Sequence, residues 1–279
     1  MILWLASYPK SGNTLLRSFL STYFFSKDGN FNFDLLRNIK QYPNNKLFLE
    51  LGVDISNRHE IAKNHLNAQK LINQNKKSFQ FWKTHSSFVK MDGYSFTDLN
   101  NTLGVIYIVR DPRDVVISYS HHNNQTIEQT LKMINQNYIL GAEIKDSIPV
   151  YLGSWSYNYN SWKVFKNINK YLLIKYEELI LNDEKYFEKI LLFIKNISKM
   201  DFDISEKKIK KVLEEIKFEK LKKLEKEKGF HESKKDDKGN TINFFRSGKT
   251  KQWKNNLDLK TKNMIEEVCQ KEMKELGYI

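Results

Sequence analysis

Three short stretches of the chain gather side chains that can hold anions and move protons. Lys10-Ser11-Gly12-Asn13-Thr14 joins the apolar run Ile2 to Ser7 to a segment with apolar residues at helical spacing. Lys83-Thr84-His85 follows Phe79 to Trp82, and Arg110-Asp111-Pro112-Arg113-Asp114 follows Leu103 to Val109, with Ser118 a little further on. In a strand, loop, helix unit the loop N–H groups and the helix N-terminus point their positive ends outward together. The first stretch is therefore composed like a phosphate cradle. Lys10 adds a full charge, Gly12 permits close backbone approach, and Ser11, Asn13 and Thr14 supply side-chain donors. An ordinary turn with a capping Ser or Asn would use the same residues. Arg110 has the planar fork that grips phosphate oxygens, although its segment also fits a surface ion-pair cluster around a Pro-started helix. His85, with an ordinary pKa of about 6.5, is a natural general base. The first stretch is not a Walker A loop, because its Lys precedes the Gly and Ala6 stands near the place of the first Gly. Gly248-Lys249-Thr250 also fails that pattern, since Asn243 replaces the first Gly and no strand leads in.

Residues of this kind need elements to bring them together. Ile2 to Ser7 reads as a strand buried on both faces. Leu15, Leu16, Phe19, Leu20, Tyr23 and Phe24 then recur as a helix. Further strands are expected at Phe79 to Trp82, Leu103 to Val109 and Tyr171 to Lys175. Helical patterns carry Val115, Val116 and Tyr119, and later Trp155, Tyr159, Trp162 and Phe165. Beyond residue 183, Phe187, Ile190, Leu191 and Ile194 form one apolar face, and Ile209, Val212, Leu213 and Ile216 another. Residues 229 to 252 have no period and read as a mobile loop. Ile265, Val268, Cys269 and Leu276 belong to a last helical pattern, where the small cysteine is expected to be buried. Alternation of strands and helices implies an α/β fold, a parallel sheet flanked by helices. Polar residues crowd after each strand, where open sheets of this class bind ligands.

The chain has 279 residues and 40% apolar content, enough for one substantial core, and contains neither repeat nor linker-like stretch. A single domain over residues 1–279 is expected. The net charge of +13 favours anionic partners without choosing among them. One cysteine excludes an intramolecular disulfide and a Cys-based zinc site. Lys10 comes too early for a signal peptide and no run of 18 apolar residues exists, so a cytoplasmic protein without a transmembrane segment is expected.

Tyr8-Pro9-Lys10-Ser11-Gly12-Asn13-Thr14 resembles the 5′-phosphosulfate loop of sulfotransferases that use 3′-phosphoadenosine 5′-phosphosulfate, PAPS, whose product is 3′-phosphoadenosine 5′-phosphate, PAP. The segment from Arg110 to Tyr119 is similar to that family's 3′-phosphate motif. Lys83-Thr84-His85 resembles the segment bearing its catalytic histidine, and Phe245-Arg246-Ser247-Gly248 with Trp253-Lys254 resembles its C-terminal nucleotide segment. There Ser247 stands for the usual Lys and Lys251 for a second Gly. Together the matches span residues 8 to 254, and the opening residues look more like bacterial members.

The resemblance implies one α/β domain with a P-loop-like phosphosulfate loop, transferring the sulfuryl group of PAPS to a hydroxyl or amine of a small-molecule acceptor. Lys10, Ser11, Gly12, Asn13 and Thr14 would hold the 5′ end. Arg110 and Ser118 would hold the 3′-phosphate, completed by Arg246, Ser247 and Gly248. Tyr176 and Phe218 match aromatics against the adenine half. Lys10 and Lys83 would neutralise charge in an in-line transfer and His85 would take the acceptor's proton. No acidic cluster suggests a metal, and none is expected. Residues 31–77, 86–98, 121–150 and 229–244 are left to line the acceptor pocket. A P-loop kinase or NTPase is the alternative, but it would need a Walker lysine and a Mg²⁺-binding acid at a strand end. A nucleic-acid binder would need a basic face interleaved with exposed aromatics, whereas these aromatics fall on core stripes. A fold that has lost catalysis is disfavoured because Lys10, Lys83, His85, Arg110 and Ser118 are all present. A homo-oligomer is compatible with this reading.

Overall fold

The computed structural model describes residues 1–74, 78–144, 146–181 and 184–279. Ile2–Ser7 (β1), with every side chain buried, lies at the centre of a five-stranded sheet with Lys40–Gln41 (β2), Gln80–Thr84 (β3), Thr102–Val109 (β4) and Tyr171–Lys175 (β5), in the order β2-β3-β1-β4-β5. Every pairing is parallel, Leu5 lying opposite Lys83 on one side and Ile106 on the other. Strand directions alone therefore bring the segments after β1, β3, β4 and β5 to one edge. The sequence expectation located four of these strands. The third ends at Thr84 instead of Trp82, and the short edge strand β2 lay in a stretch whose weak pattern concealed it.

Alternation along β1 divides the core. Ile2, Trp4 and Ala6 face one apolar layer, packed by Arg58–Gln74 (α2), Pro112–Asn123 (α3) and Trp155–Trp162 (α4). Leu3 and Leu5 face the other, covered by Asn13–Phe25 (α1), Glu184–Ser198 (α5) and Glu206–Glu215 (α6). Phe218–Lys228 (α7) contributes Leu221 to this second layer, and Leu259–Val268 (α8) contributes Ile265 to the first. With both faces covered, the strands are apolar runs rather than alternating ones. Cys269 is buried as expected, but Val268 is 49% exposed because α8 ends there and the chain turns into a separate short helix, Gln270–Glu275.

The segment expected to be a mobile loop is held at several points. Phe230 and Phe245 are buried, Lys234–Lys235 (β6) pairs antiparallel with Thr241–Ile242 (β7), and the Glu225 carboxylate accepts from the N–H groups of Phe244 and Phe245, at 2.6 and 2.9 Å. Buried aromatics and satisfied backbone donors, rather than periodicity, fix it.

Candidate functional site

The turn after β1 adopts left-handed backbone at Lys10 (φ 63°) and Gly12 (φ 101°). A Cβ on Gly12 would stand 2.5 Å from the Tyr176 ring, so only glycine lets this loop press against the end of β5. α1 begins at Asn13 with N–H groups directed back towards the loop. The Ser11 hydroxyl is buried with no partner. Asn13 departs from its expected role: its Nδ2 donates to the Leu5 carbonyl (2.9 Å) and to Ser7 Oγ (3.2 Å), tying the turn to β1 instead of offering a donor outwards. Lys10 Nζ sits 3.7 Å above the Phe244 ring centre. Burial lowers its pKa to about 7, with the Glu232 carboxylate opposing and the Arg110 and Lys83 cations adding to the fall.

At the end of β3, His85 Nδ1 lies 2.8 Å from the Ser7 carbonyl. A carbonyl only accepts, so Nδ1 carries the proton and the lone pair is left on Nε2. The near-neutral pKa expected for this histidine is not what the site produces. Burial, joined by the Lys83 cation, pulls it down to about 3, so the ring stays neutral at ordinary pH. Lys83 is itself buried, and its pKa falls to about 8 through burial first and the Arg17 charge second.

After β4, Arg110 is buried, donates to the carbonyls of Lys10 (3.1 Å) and Lys249 (3.0 Å), and stacks 4.2 Å from the Tyr176 ring centre. Its Nε has no partner. Arg113 is the structural half of the same segment: it pairs with Asp111 at 2.6 Å and with Glu266, and lies 3.8 Å over Trp253. The ion-pair reading therefore holds for Arg113, while Arg110 lines a cavity that also includes Ser118 on α3. Tyr176 donates its hydroxyl to the Gly248 carbonyl at 3.0 Å. Gly248 has φ 64°, and a Cβ there would stand 2.4 Å from Phe218, which is how that ring and the C-terminal segment meet. Arg246 donates to Gln252 Oε1 at 2.6 Å and lines the cavity with Ser247. Lys251 takes left-handed backbone (φ 56°), a conformation that glycine adopts more easily. Its N–H and that of Trp253 donate to the Asp114 carboxylate at 2.7 and 3.1 Å.

Two residues that sequence reasoning passed over complete the cluster. Arg17, one turn along α1 from Thr14, is buried and donates to Thr14 Oγ1 (3.2 Å) and Glu232 Oε1 (2.5 Å). Glu232 Oε1 is also 3.3 Å from Lys83 Nζ, and Thr14 Oγ1 donates to Glu232 Oε2 at 3.2 Å. Although burial alone would raise its pKa, Lys83 and Arg17 hold the Glu232 carboxyl far below the usual range. A signal for Arg17 exists in the helical spacing from Asn13 and Thr14. For Glu232 the signal is weaker: one acid among lysines, two residues beyond a phenylalanine.

These groups surround a cavity of about 850 Å³. Cations come to it from two sets of elements, Lys10 after β1 and Lys83 on β3, with the buried Arg17 behind them, and Arg110 after β4 with Arg246 and Lys249 of the C-terminal segment; Lys217 and Lys234 line it as well. Together with the unpartnered Arg110 Nε and Ser11 Oγ, this fits a ligand anionic at two separate places. Of the stretches left for an acceptor, Gln41, His122, Asn123, Leu140, Lys234 and Phe244 reach the cavity, while residues 86–98 do not line it. Residues 75–77 and 145 of those stretches lie outside the described residues. No group of three or more potential ligands that could hold a metal ion occurs among the described residues.

Among known proteins, the chain is 22% identical to the amine sulfotransferase of Oryctolagus cuniculus over 181 residues, 63% of this chain and 56% of that protein, so it aligns with little more than half of that relative. The mouse sulfotransferase SULT7A1 complexed with PAP superimposes with a TM-score of 0.60 at 20% identity, covering 97% of this chain and 83% of that one. Retinol dehydratase, in complex with androsterone and the inactive cofactor PAP, gives 0.62 at 17% identity, covering 98% and 80%. At those identities the likeness is one of fold. The family model described as a sulfotransferase domain matches residues 2–277, and the chain belongs to that family.

Proposed function

We propose that the chain is a PAPS-dependent sulfotransferase acting as a single domain in the cytoplasm, moving a sulfuryl group to a hydroxyl or amine of a small-molecule acceptor. The observation that carries this reading is the pairing of two cation groups with a neutral, oriented His85 at one sheet edge. The 5′ end of the nucleotide would lie on the Lys10 to Thr14 turn, with Lys10 and Lys83 beside the transferring group, and the 3′-phosphate would lie on Arg110, Ser118 and Arg246. Tyr176 and Phe218 would flank the adenine half, between Gly12 on one side and Gly248 on the other. The PAPS reading is supported by family membership and by PAP in the related structures.

When bound, PAPS supplies an activated sulfur whose bond to the bridging oxygen breaks as the acceptor's bond forms. The protein has three tasks in that exchange. Lys10 and Lys83 stabilise charge on the departing and equatorial oxygens. The Ser7 carbonyl fixes the His85 tautomer, so that Nε2 takes the acceptor's proton. The burial that depresses His85 also limits the access of water as a competing acceptor.

His85→Ala is expected to cut turnover at least ~100-fold while changing PAP affinity little, as measured by sulfate transfer from PAPS to a panel of simple alcohols, phenols and amines and by calorimetry with PAP. Near-normal turnover in that variant would remove His85 from the proton transfer. Thermal stabilisation no greater by PAP than by AMP or ADP would overturn the cofactor assignment itself.

A further inference from the structure

Glu232 is the only carboxylate on the cavity wall among the described residues. It also occupies an unusual position. Its two oxygens take the Thr14 hydroxyl, the Arg17 guanidinium and the Lys83 ammonium, at 3.2, 2.5 and 3.3 Å. Two of those three groups, Thr14 and Lys83, are ones that the proposed function assigns to the phosphosulfate end of the nucleotide. A carboxylate presents two charged oxygens in a plane, much as an edge of a phosphate or sulfate does, so the same donors accommodate either.

We propose that Glu232 is an internal occupant of the 5′-anion subsite: it satisfies Thr14, Arg17 and Lys83 while the nucleotide is away and has to give up those contacts when the nucleotide's 5′ group arrives.

The surrounding chain limits how this exchange can happen. Phe230 is buried on one side of Glu232, and on the other the Ser233 hydroxyl bonds to Glu225 Oε1 at 2.5 Å. With its backbone so anchored, the residue yields by rotating its side chain, not by withdrawing the loop. The exchange also has an electrostatic reason. Arg17 and Lys83 are almost fully buried, and two unpaired buried cations would cost far more than a paired set. Glu232 supplies the missing counter-charge in the free protein and thereby keeps both cations charged and in place. That preorganisation is offset by competition, because an arriving anion meets a carboxylate already seated. The 3′-phosphate end has no such competitor on the cavity wall: Arg110 is held there by carbonyls and by Asp114 at 3.8 Å, which faces the loop N–H groups.

This inference rests on the PAPS reading, and one experiment separates the two. Calorimetry is run on the full chain, wild type and Glu232→Gln, with PAP, with AMP, which lacks the 3′-phosphate, and with adenosine 3′-monophosphate, which lacks the 5′ group. The glutamine variant is expected to bind PAP about tenfold more tightly, to bind adenosine 3′-monophosphate as the wild type does, and to melt at a lower temperature without ligand. Glu232→Asp, which keeps the charge but shortens the reach, is expected to fall between wild type and Gln for PAP, and serves alone if the Gln variant does not fold. Unchanged or weaker PAP binding in these variants, or an equal gain for both ligands, would overturn the role of Glu232. Failure of the wild type to prefer PAP over AMP would instead overturn the cofactor reading.

Discussion

Lys10 and Lys83 are unusual lysines. Burial brings their pKa values down to about 7 and about 8, where an ordinary lysine would stay protonated past pH 10. A bound anion favours the charged form, so ligand binding raises both values and takes up protons wherever the free groups are partly neutral. PAP affinity is therefore expected to decline as pH rises from 7 to 9, with net proton uptake on binding at pH 8. Calorimetry in buffers of different ionisation enthalpy reads this directly, and binding without proton uptake at pH 8 would contradict it. His85 shifts in the same direction. An anion beside Lys83 offsets one of the three causes that depress the imidazole, burial, Lys83 and Arg17, so under the proposed function the base would become stronger when there is something to transfer. With its free value near 3, His85 itself introduces no acid limb in kcat/KM between pH 5 and 7.

At the scale of elements, the site is a product of strand direction. β1, β3, β4 and β5 run in parallel and end together, and each hands over one functional group: Lys10, His85, Arg110 and Tyr176. The turn after β1 is the tightest of these joints. Gly12→Ala would place a methyl 2.5 Å from the Tyr176 ring at φ 101°, which is expected to lower stability by roughly 2–4 kcal/mol and to weaken PAP binding; urea unfolding and calorimetry test both. Four strands were legible in the sequence because strands covered on both faces leave continuous apolar runs such as Leu103 to Val109. β2 was not, since two residues at an edge carry no period. The turn after β1 was legible as a strand-helix joint from its residue types. Arg17 carried only a local hint, its helical spacing from Thr14, and Glu232 hardly any, because their pairing with each other spans more than two hundred positions that no local spacing encodes. Asn13 was read as a ligand donor for a related reason: its residue type suits either role, and only its contact with Leu5 decides between them.

For the molecule as a whole, the notable balance is between a positive exterior and neutral histidines within. His65, His85 and His122 are each pulled to a pKa of about 3 by burial. A histidine that is neutral when folded and has its ordinary value near 6.5 when unfolded contributes stability above 6.5, which is lost as pH falls towards 3. His65, 1% exposed against Tyr42, contributes on the order of 2 kcal/mol to that loss at pH 5. Glu232, depressed far below the usual carboxyl range, acts in the same direction once pH drops below about 4. The urea midpoint is thus expected to fall measurably from pH 7 to pH 5, and a flat profile would show that these rings are solvated in solution. Nothing in the described residues is both long and apolar enough to form a membrane-crossing helix.

The two acids that fasten the C-terminal segment have one more implication. Glu225 takes the N–H groups of Phe244 and Phe245, and Asp114 takes those of Lys251 and Trp253, so the stretch that carries Arg246, Ser247 and Gly248 is fastened on both sides. Substitutions within the exposed β6–β7 turn would leave that fastening in place.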